Sequence, residues 1–210
     1  MDAEKTMLDV LLERNEQISV FSTMLDVIHV ASTCRSTSHN FKWYPQSLHM
    51  GHTLNTTKSL EFVALNCPQL TSLNMFGCGY RGDGNVLQDS ALEHVLQSCP
   101  KVQCLQFAYT IGVTDATMDV IARCCPGLTS LDITNCIEVT EEGLETLVRR
   151  CPNIRTLKRE LSHEDEFDED LMFSDDYIAV LSSHCPHLEE LDISGTIVRN
   201  TCFWKLSACP

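Results

Sequence analysis

Cys125-Pro126-Gly127-Leu128-Thr129-Ser130-Leu131-Asp132-Ile133-Thr134-Asn135-Cys136-Ile137-Glu138-Val139-Thr140 is the stretch on which the fold turns, because its pattern recurs along the chain. Cysteine is followed by proline at Cys67, Cys99, Cys125, Cys151, Cys185 and Cys209, at intervals of 32, 26, 26, 34 and 24 residues. Self-similarity with a period of about 20 to 50 residues marks a solenoid or array, in which each unit buries its apolar faces only against its neighbours.

The first five of these cysteines set a common frame, numbered here from each cysteine. Position three holds Leu70, Val102, Leu128, Ile154 and Leu188, and position six holds Leu73, Leu105, Leu131, Leu157 and Leu191. Position eight holds Met75, Phe107, Ile133, Arg159 and Ile193. The alternation of six and eight predicts a short strand with one buried face. Arg159 breaks it, and the strand that leads into it is expected to be distorted.

Upstream of the cysteines, Leu60, Leu92, Met118, Leu144 and Ile178 precede Val63, Val95, Ile121, Leu147 and Leu181 by three residues, which places each pair on one helical face. Thr56, Thr114, Thr140 and Ser174, with Gln88 as the exception, occupy the position expected to cap each helix. Leu87, Val113, Val139 and Phe173 stand just before the cap as staples. Proline ends the helix and biases its cysteine towards extended geometry. Cys78, Thr110, Cys136, Ser162 and Thr196, at position eleven, are small enough to turn inwards and bond backbone groups of the next coil.

Cys67-Pro68-Gln69-Leu70-Thr71-Ser72-Leu73-Asn74-Met75-Phe76-Gly77-Cys78 and the stretch from Cys125 resemble the cysteine-containing leucine-rich repeats of F-box proteins. The resemblance spans about residues 54 to 210 and implies an α/β fold. That fold is a right-handed leucine-rich-repeat solenoid, a short horseshoe with parallel strands on the concave face and helices outside. The repeats are assigned to residues 51–210, about five units with a sixth cut off at Pro210.

Residues 1–50 lie outside the frame and form a helical segment. Met24 to Arg35 resembles the latter half of an F-box, an aliphatic helix ending in Cys34-Arg35, whereas the family's opening Leu-Pro is absent. Two readings are open: an F-box whose Leu25, Val27, Ile28 and Val30 dock an adaptor, or a helical cap on the first repeat. By resemblance the partners of the first reading are a Skp-family adaptor and a cullin ligase core. The chain would then be the substrate receptor of an SCF-type ubiquitin ligase. The second reading makes it a leucine-rich regulator or scaffold without adaptor binding.

Two helix-bound passages are long, from Cys78 to Gln88 and from Ser162 to Ser174, and both leave the repeat at the same step, hence on one rim. The run from Glu160 to Asp176 carries nine carboxylates and no lysine or arginine. Two uses are open for it, a solvated loop or a clamp for a basic segment of a partner. Candidate partner-binding residues on the concave face and rim are Phe76, Tyr80, Arg81, Gln106, Tyr109, Asp132, Lys158, Glu164, Asp165, Glu166, Phe167 and Asp192. The ligand expected there is a protein not yet identified.

Charge and motif argue against other classes. With 29 acidic and 15 basic residues and a formal charge of −14, the chain repels phosphates, so neither nucleic acid nor an anionic membrane surface is an expected partner. Gly77-Cys78-Gly79-Tyr80-Arg81-Gly82 spells G-x-G-x-x-G, which leaves a nucleotide-binding enzyme as a distant alternative, but the frame delays the helix that would hold a pyrophosphate. The cysteines recur one per coil instead of converging as zinc pairs do, and no nucleophile elbow is present. No catalysis, metal or cofactor is therefore expected. Met1-Asp2-Ala3-Glu4 lacks a signal-peptide start, and the expected location is cytoplasmic or nuclear, with thiols reduced.

Overall fold

A computed structural model describes residues 46–50, 56–79, 86–161, 172–195 and 197–198. Strand β1 (Ser47–His49) is followed by α1 (Thr56–Asn66), β2 (Ser72–Asn74), α2 (Asp89–Ser98), β3 (Cys104–Gln106) and α3 (Asp115–Cys124). Next come β4 (Ser130–Asp132), α4 (Glu141–Arg150), β5 (Thr156–Lys158), β6 (Met172–Phe173), α5 (Asp175–His184), β7 (Glu190–Asp192) and β8 (Ile197–Val198). Six strands form one parallel sheet in the order β1-β2-β3-β4-β5-β7, and β6 pairs with β8 in a separate two-stranded sheet. The main sheet begins at β1, N-terminal to residue 51, where the Cys-Pro frame starts the repeats.

The register is invariant: Leu48, Leu73, Leu105, Leu131, Leu157 and Leu191 stand opposite one another strand after strand. Leu73, Leu105 and Leu131 are fully buried, and the residues on either side of them are half-exposed. Leu60, Val63, Leu92, Val95, Met118, Ile121, Leu144 and Leu147 close the same core from the helices. Burial of about five such side chains per coil contributes at most roughly 1.5 to 3 kcal/mol each before conformational entropy is subtracted.

Each helix ends at its Cys-Pro cysteine, whose N–H still bonds the carbonyl four residues earlier, as Cys99 does to Val95 and Cys125 to Ile121, both at 2.8 Å. The freed cysteine carbonyls then meet the next coil. Cys99 Sγ donates to the Cys67 carbonyl at 3.2 Å, and Cys151 Sγ to the Cys125 carbonyl at 3.3 Å. At position eleven, Cys78 Sγ, Thr110 Oγ1 and Cys136 Sγ donate to the carbonyls of Met50, Met75 and Phe107 at 3.4, 2.6 and 3.2 Å. These bonds run to the preceding coil, not to the next one as the sequence suggested, because the residue turning inward at a strand exit faces the carbonyl already laid down behind it.

Caps follow the frame at Thr114, Thr140 and Ser174, whose side chains accept from the first helical turn, and Gln88 makes no side-chain cap. Thr56 is the first residue of α1 and not the residue before it. The helix starts are also tied to one another. Asp89 Oδ1 accepts from Thr117 Oγ1 at 2.6 Å, and Asp115 accepts from Thr140 N and Oγ1 at 2.8 and 2.7 Å. Glu141 in turn accepts from the backbone N–H and hydroxyl of Ser174. An acid in the first turn thus favours its own helix dipole and fixes the cap of the next helix.

The expected distortion at Arg159 is not found. β5 pairs in register with both neighbours, and Arg159 N bonds the Asp192 carbonyl at 2.7 Å. The side chain fills the core position, 2% exposed, and its Nη2 donates to the Val139 carbonyl at 2.8 Å. Burial pushes its pKa down, while Tyr177, Glu141 and Asp115 favour the charged form. The long stem packs as an aliphatic residue would, and the head reaches a polar group at the helix start.

Gly143 shows how tightly the helix starts fit. A Cβ there would stand 2.1 Å from Asp115 Oδ1 and 3.0 Å from Asp115 Cα. Alanine gains about 1 kcal/mol of helix propensity, but the clash displaces a carboxylate that holds the cap of α4. Gly143→Ala is expected to lower unfolding free energy by about 1 to 2 kcal/mol. Chemical denaturation checks this, and part of the loss should return when Asp115→Ala is added.

Candidate functional site

The core register dictates which side chains the sheet displays. His49, Asn74, Gln106, Asp132, Lys158 and Asp192 form one row across β1 to β7. Several of these polar groups have local work. Asn74 Nδ2 donates to Gln106 Oε1, and Lys158 Nζ pairs with Glu190 at 2.7 Å. Asn74, Asp132 and Asp192 accept from the N–H groups of Phe76, Thr134 and Ser194 at 2.9, 3.0 and 3.0 Å, turning the chain out of each strand. Hydrogen bonds from Ser194 hold the Asp192 carboxyl below its ordinary pKa, and the bond to Glu190 raises that of Lys158.

Just beyond the row lies an aromatic pair. Phe76 and Tyr109, in adjacent coils, meet edge to face with ring centroids 5.5 Å apart, and they are 40% and 37% exposed. Ala108, the residue before Tyr109, is buried. Tyr109 adopts φ 58°, in the left-handed region. Three other coils fill this position with Gly77, Asn135 and Gly195, at φ 68°, 56° and 75°. Glycine and asparagine tolerate that geometry, whereas a tyrosine there stores about 1 kcal/mol. Its N–H bonds the Thr134 carbonyl at 2.8 Å, so the inter-coil ladder holds the strained residue in place.

Ile111 and Ile137 are also exposed, each two residues beyond that position, Ile137 by 57%. Val86 joins them. It is exposed and packs against Gly112, where an added Cβ would lie 2.3 Å from Val86 Cγ1. The Ile111 N–H and carbonyl are bonded to the Cys78 carbonyl and the Leu87 N–H, which ties three segments into one rim. Sequence reasoning overlooked Val86, Ile111 and Ile137. The available signal was an isoleucine in two successive coils at a position where the core requires none.

Of the sequence-predicted residues, the structure brings Phe76 and Tyr109 together and sets Gln106, Asp132, Lys158 and Asp192 in one row. Tyr80, Arg81, Glu164, Asp165, Glu166 and Phe167 lie outside the described residues, as do Leu25, Val27, Ile28 and Val30. Both long inserts leave from the rim that bears Ile111 and Ile137, between strand exit and the following helix. The Gly77 and Gly79 turn does not open a helix, since α2 starts only at Asp89.

The nine described cysteines are free thiols. Burial pushes Cys67, Cys125 and Cys136 up to about 12, and Cys99 and Cys151 up to about 11. Thiolate is the nucleophile and metal ligand, so these sulfurs are held in their unreactive form. Among the described residues no three His, Cys, Asp or Glu side chains converge as a metal set would, and no helix is long and apolar enough to cross a membrane.

Comparison with known proteins bears on the architecture. A leucine-rich-repeat family model matches residues 184–196, which run from the end of α5 through β7. The tropomodulin C-terminal domain of Caenorhabditis elegans superposes with a TM-score of 0.51 over 73% of this chain and 90% of its own, at 12% identity. The fold is a leucine-rich-repeat solenoid. No curated protein sequence matches the chain. Within the solenoid, the Cys-Pro corner is the point at which each outer helix hands over to the inner strand.

Two outcomes are expected. In Tyr109→Asn, relief of about 1 kcal/mol of backbone strain offsets loss of an aromatic contact worth about 0.5–1.5 kcal/mol, leaving stability within about 1 kcal/mol of wild type by urea denaturation. Alkaline pH acts the other way. The buried thiols have folded pKa values raised above the ordinary 9.0, so the unfolded chain releases their protons first. Their contribution is whole below about pH 9 and is lost as pH rises towards 11–12, at up to about 1.4 kcal/mol per thiol per pH unit. The urea midpoint should therefore fall between about pH 8 and about pH 10, and a flat or rising midpoint would contradict the assignment.

Proposed function

We propose that this solenoid is a non-catalytic protein-recognition module that holds a partner against its strand face and the adjoining strand-exit rim. The observation that carries this reading is the exposed Phe76–Tyr109 pair. It combines aromatic surface with a backbone conformation that three other coils assign to glycine or asparagine. Strain retained at an exposed aromatic has no use in the core, and aromatic residues anchor interfaces at low cost in side-chain entropy. Exposed Val86, Ile111 and Ile137 extend the apolar surface along the rim.

The finer reading rests on the resemblance of Met24 to Arg35 to an F-box. The chain would serve as a substrate receptor of an SCF-type ubiquitin ligase, with Leu25, Val27, Ile28 and Val30 docking a Skp-family adaptor and the solenoid holding the target. Co-purification with a Skp-family adaptor tests it. Adaptor capture that falls at least about tenfold in Ile28→Asp/Val30→Asp, a loss of about 1.4 kcal/mol, while circular dichroism and melting stay those of wild type, supports the receptor. Folded wild-type chain that captures no adaptor overturns it and leaves a regulator or scaffold that binds its partner without the ligase core.

A further inference from the structure

The strand face is divided along its length. Towards the N-terminal coils it presents Phe76 and Tyr109. Towards the C-terminal coils its charge is negative. Asp132, exposed Glu160, Glu189, Glu190 and Asp192 stand against Arg155 and Lys158, and both cations are already paired, Arg155 with Glu189 and Lys158 with Glu190. Lys158 also stands between Asp132 and Asp192 and its charge is shared with both, so five carboxylates face two cations and the patch keeps a net negative charge. Asp132 and Asp192 use Oδ1 to accept from the N–H groups of Thr134 and Ser194, which leaves the second oxygen of each carboxylate available to a partner. A carboxylate that already accepts from the backbone is also fixed in direction, so no side-chain freedom is lost when a cation arrives.

The two regions meet at Tyr109. Its N–H bonds the Thr134 carbonyl, and the Thr134 N–H bonds Asp132, so Tyr109 and Asp132 lie on adjacent coils, offset by about two residues, or about 7 Å, along the strand direction. An extended ligand that places an apolar side chain on the rings brings its next same-face side chain to Asp132. An arginine at that point gains a charge-assisted hydrogen bond, and its guanidinium can lie against the exposed tyrosine face.

Building on the recognition reading above, we propose that the partner presents an extended cationic segment, with an aliphatic or aromatic residue seated on Phe76 and Tyr109 and an arginine or lysine, one or two residues away, directed to Asp132. The chain's charge of −14 draws such a segment in and repels acidic ones.

Selection of a phage-displayed library of random dodecapeptides on the full chain tests this. The expected result is enrichment of sequences with Arg or Lys within two residues of an apolar side chain. A synthetic peptide of that kind should bind with affinity that falls with added salt. Tyr109→Asn and Asp132→Asn should each weaken it at least about fivefold, a loss of about 1 kcal/mol. Tyr109→Asn keeps the fold, and in Asp132→Asn the amide oxygen still accepts from the Thr134 N–H, so an unchanged melting temperature distinguishes loss of binding from unfolding. Enrichment of acidic or uncharged apolar peptides that nonetheless need Tyr109 would overturn the cationic partner while leaving the recognition face intact. Selection of nothing, or of peptides indifferent to both variants, would overturn this proposal and the strand-face reading together.

Discussion

Every coil of this protein is completed by its neighbour, and that dependence governs the rest of the structure. Main-chain ladders, the leucine stack and the side-chain bonds to carbonyls all run between units. Cys99 completes the Cys67 corner, Thr110 completes the exit from β2, and Asp115 completes the cap of α4. A lone coil would leave these carbonyls, amides and apolar faces in water. Stacking satisfies them at once, so register cannot slip without losing many partners together.

Such rigidity explains how a strained residue can persist. Tyr109 is held through its backbone by a bond that belongs to the sheet, and the cost of its left-handed conformation is spread over the stack. The aromatic pair is therefore presented on an inflexible surface. An interface anchor of this kind loses little freedom on binding, which is the advantage of building a recognition site on strand exits. The same constraint keeps the buried thiols protonated, since a thiolate at a Cys-Pro corner would be cut off from the water that stabilises it.

Much of this was legible in the chain. Leu73, Leu105, Leu131 and Leu157 mark the buried strand position, Thr114, Thr140 and Ser174 mark helix starts, and the prolines mark helix ends, because each has a local physical reason to stand where it does. Arg159 was misjudged, since a residue type alone does not reveal that a charged head can reach the Val139 carbonyl from a core position. The direction of the Cys78, Thr110 and Cys136 bonds was misjudged for a similar reason. Small polar residues announce that they will bond the backbone but not which coil will receive them. The position shared by Gly77, Asn135 and Gly195 did carry a hint that Tyr109 is strained, and it becomes readable only once the coils are aligned.

Side-chain type and spacing were enough to specify the repeat, its period, its core positions and the solenoid class, because each of these is a property of the chain read locally. Stacking was needed to bring Phe76 to Tyr109, to set Asp132 in one row with Gln106 and Lys158 of the neighbouring coils, and to make Gly143 leave room for Asp115. The first and last of these contacts join residues 33 and 28 positions apart in the sequence. They are set by how one coil lies on the next, which no local propensity encodes.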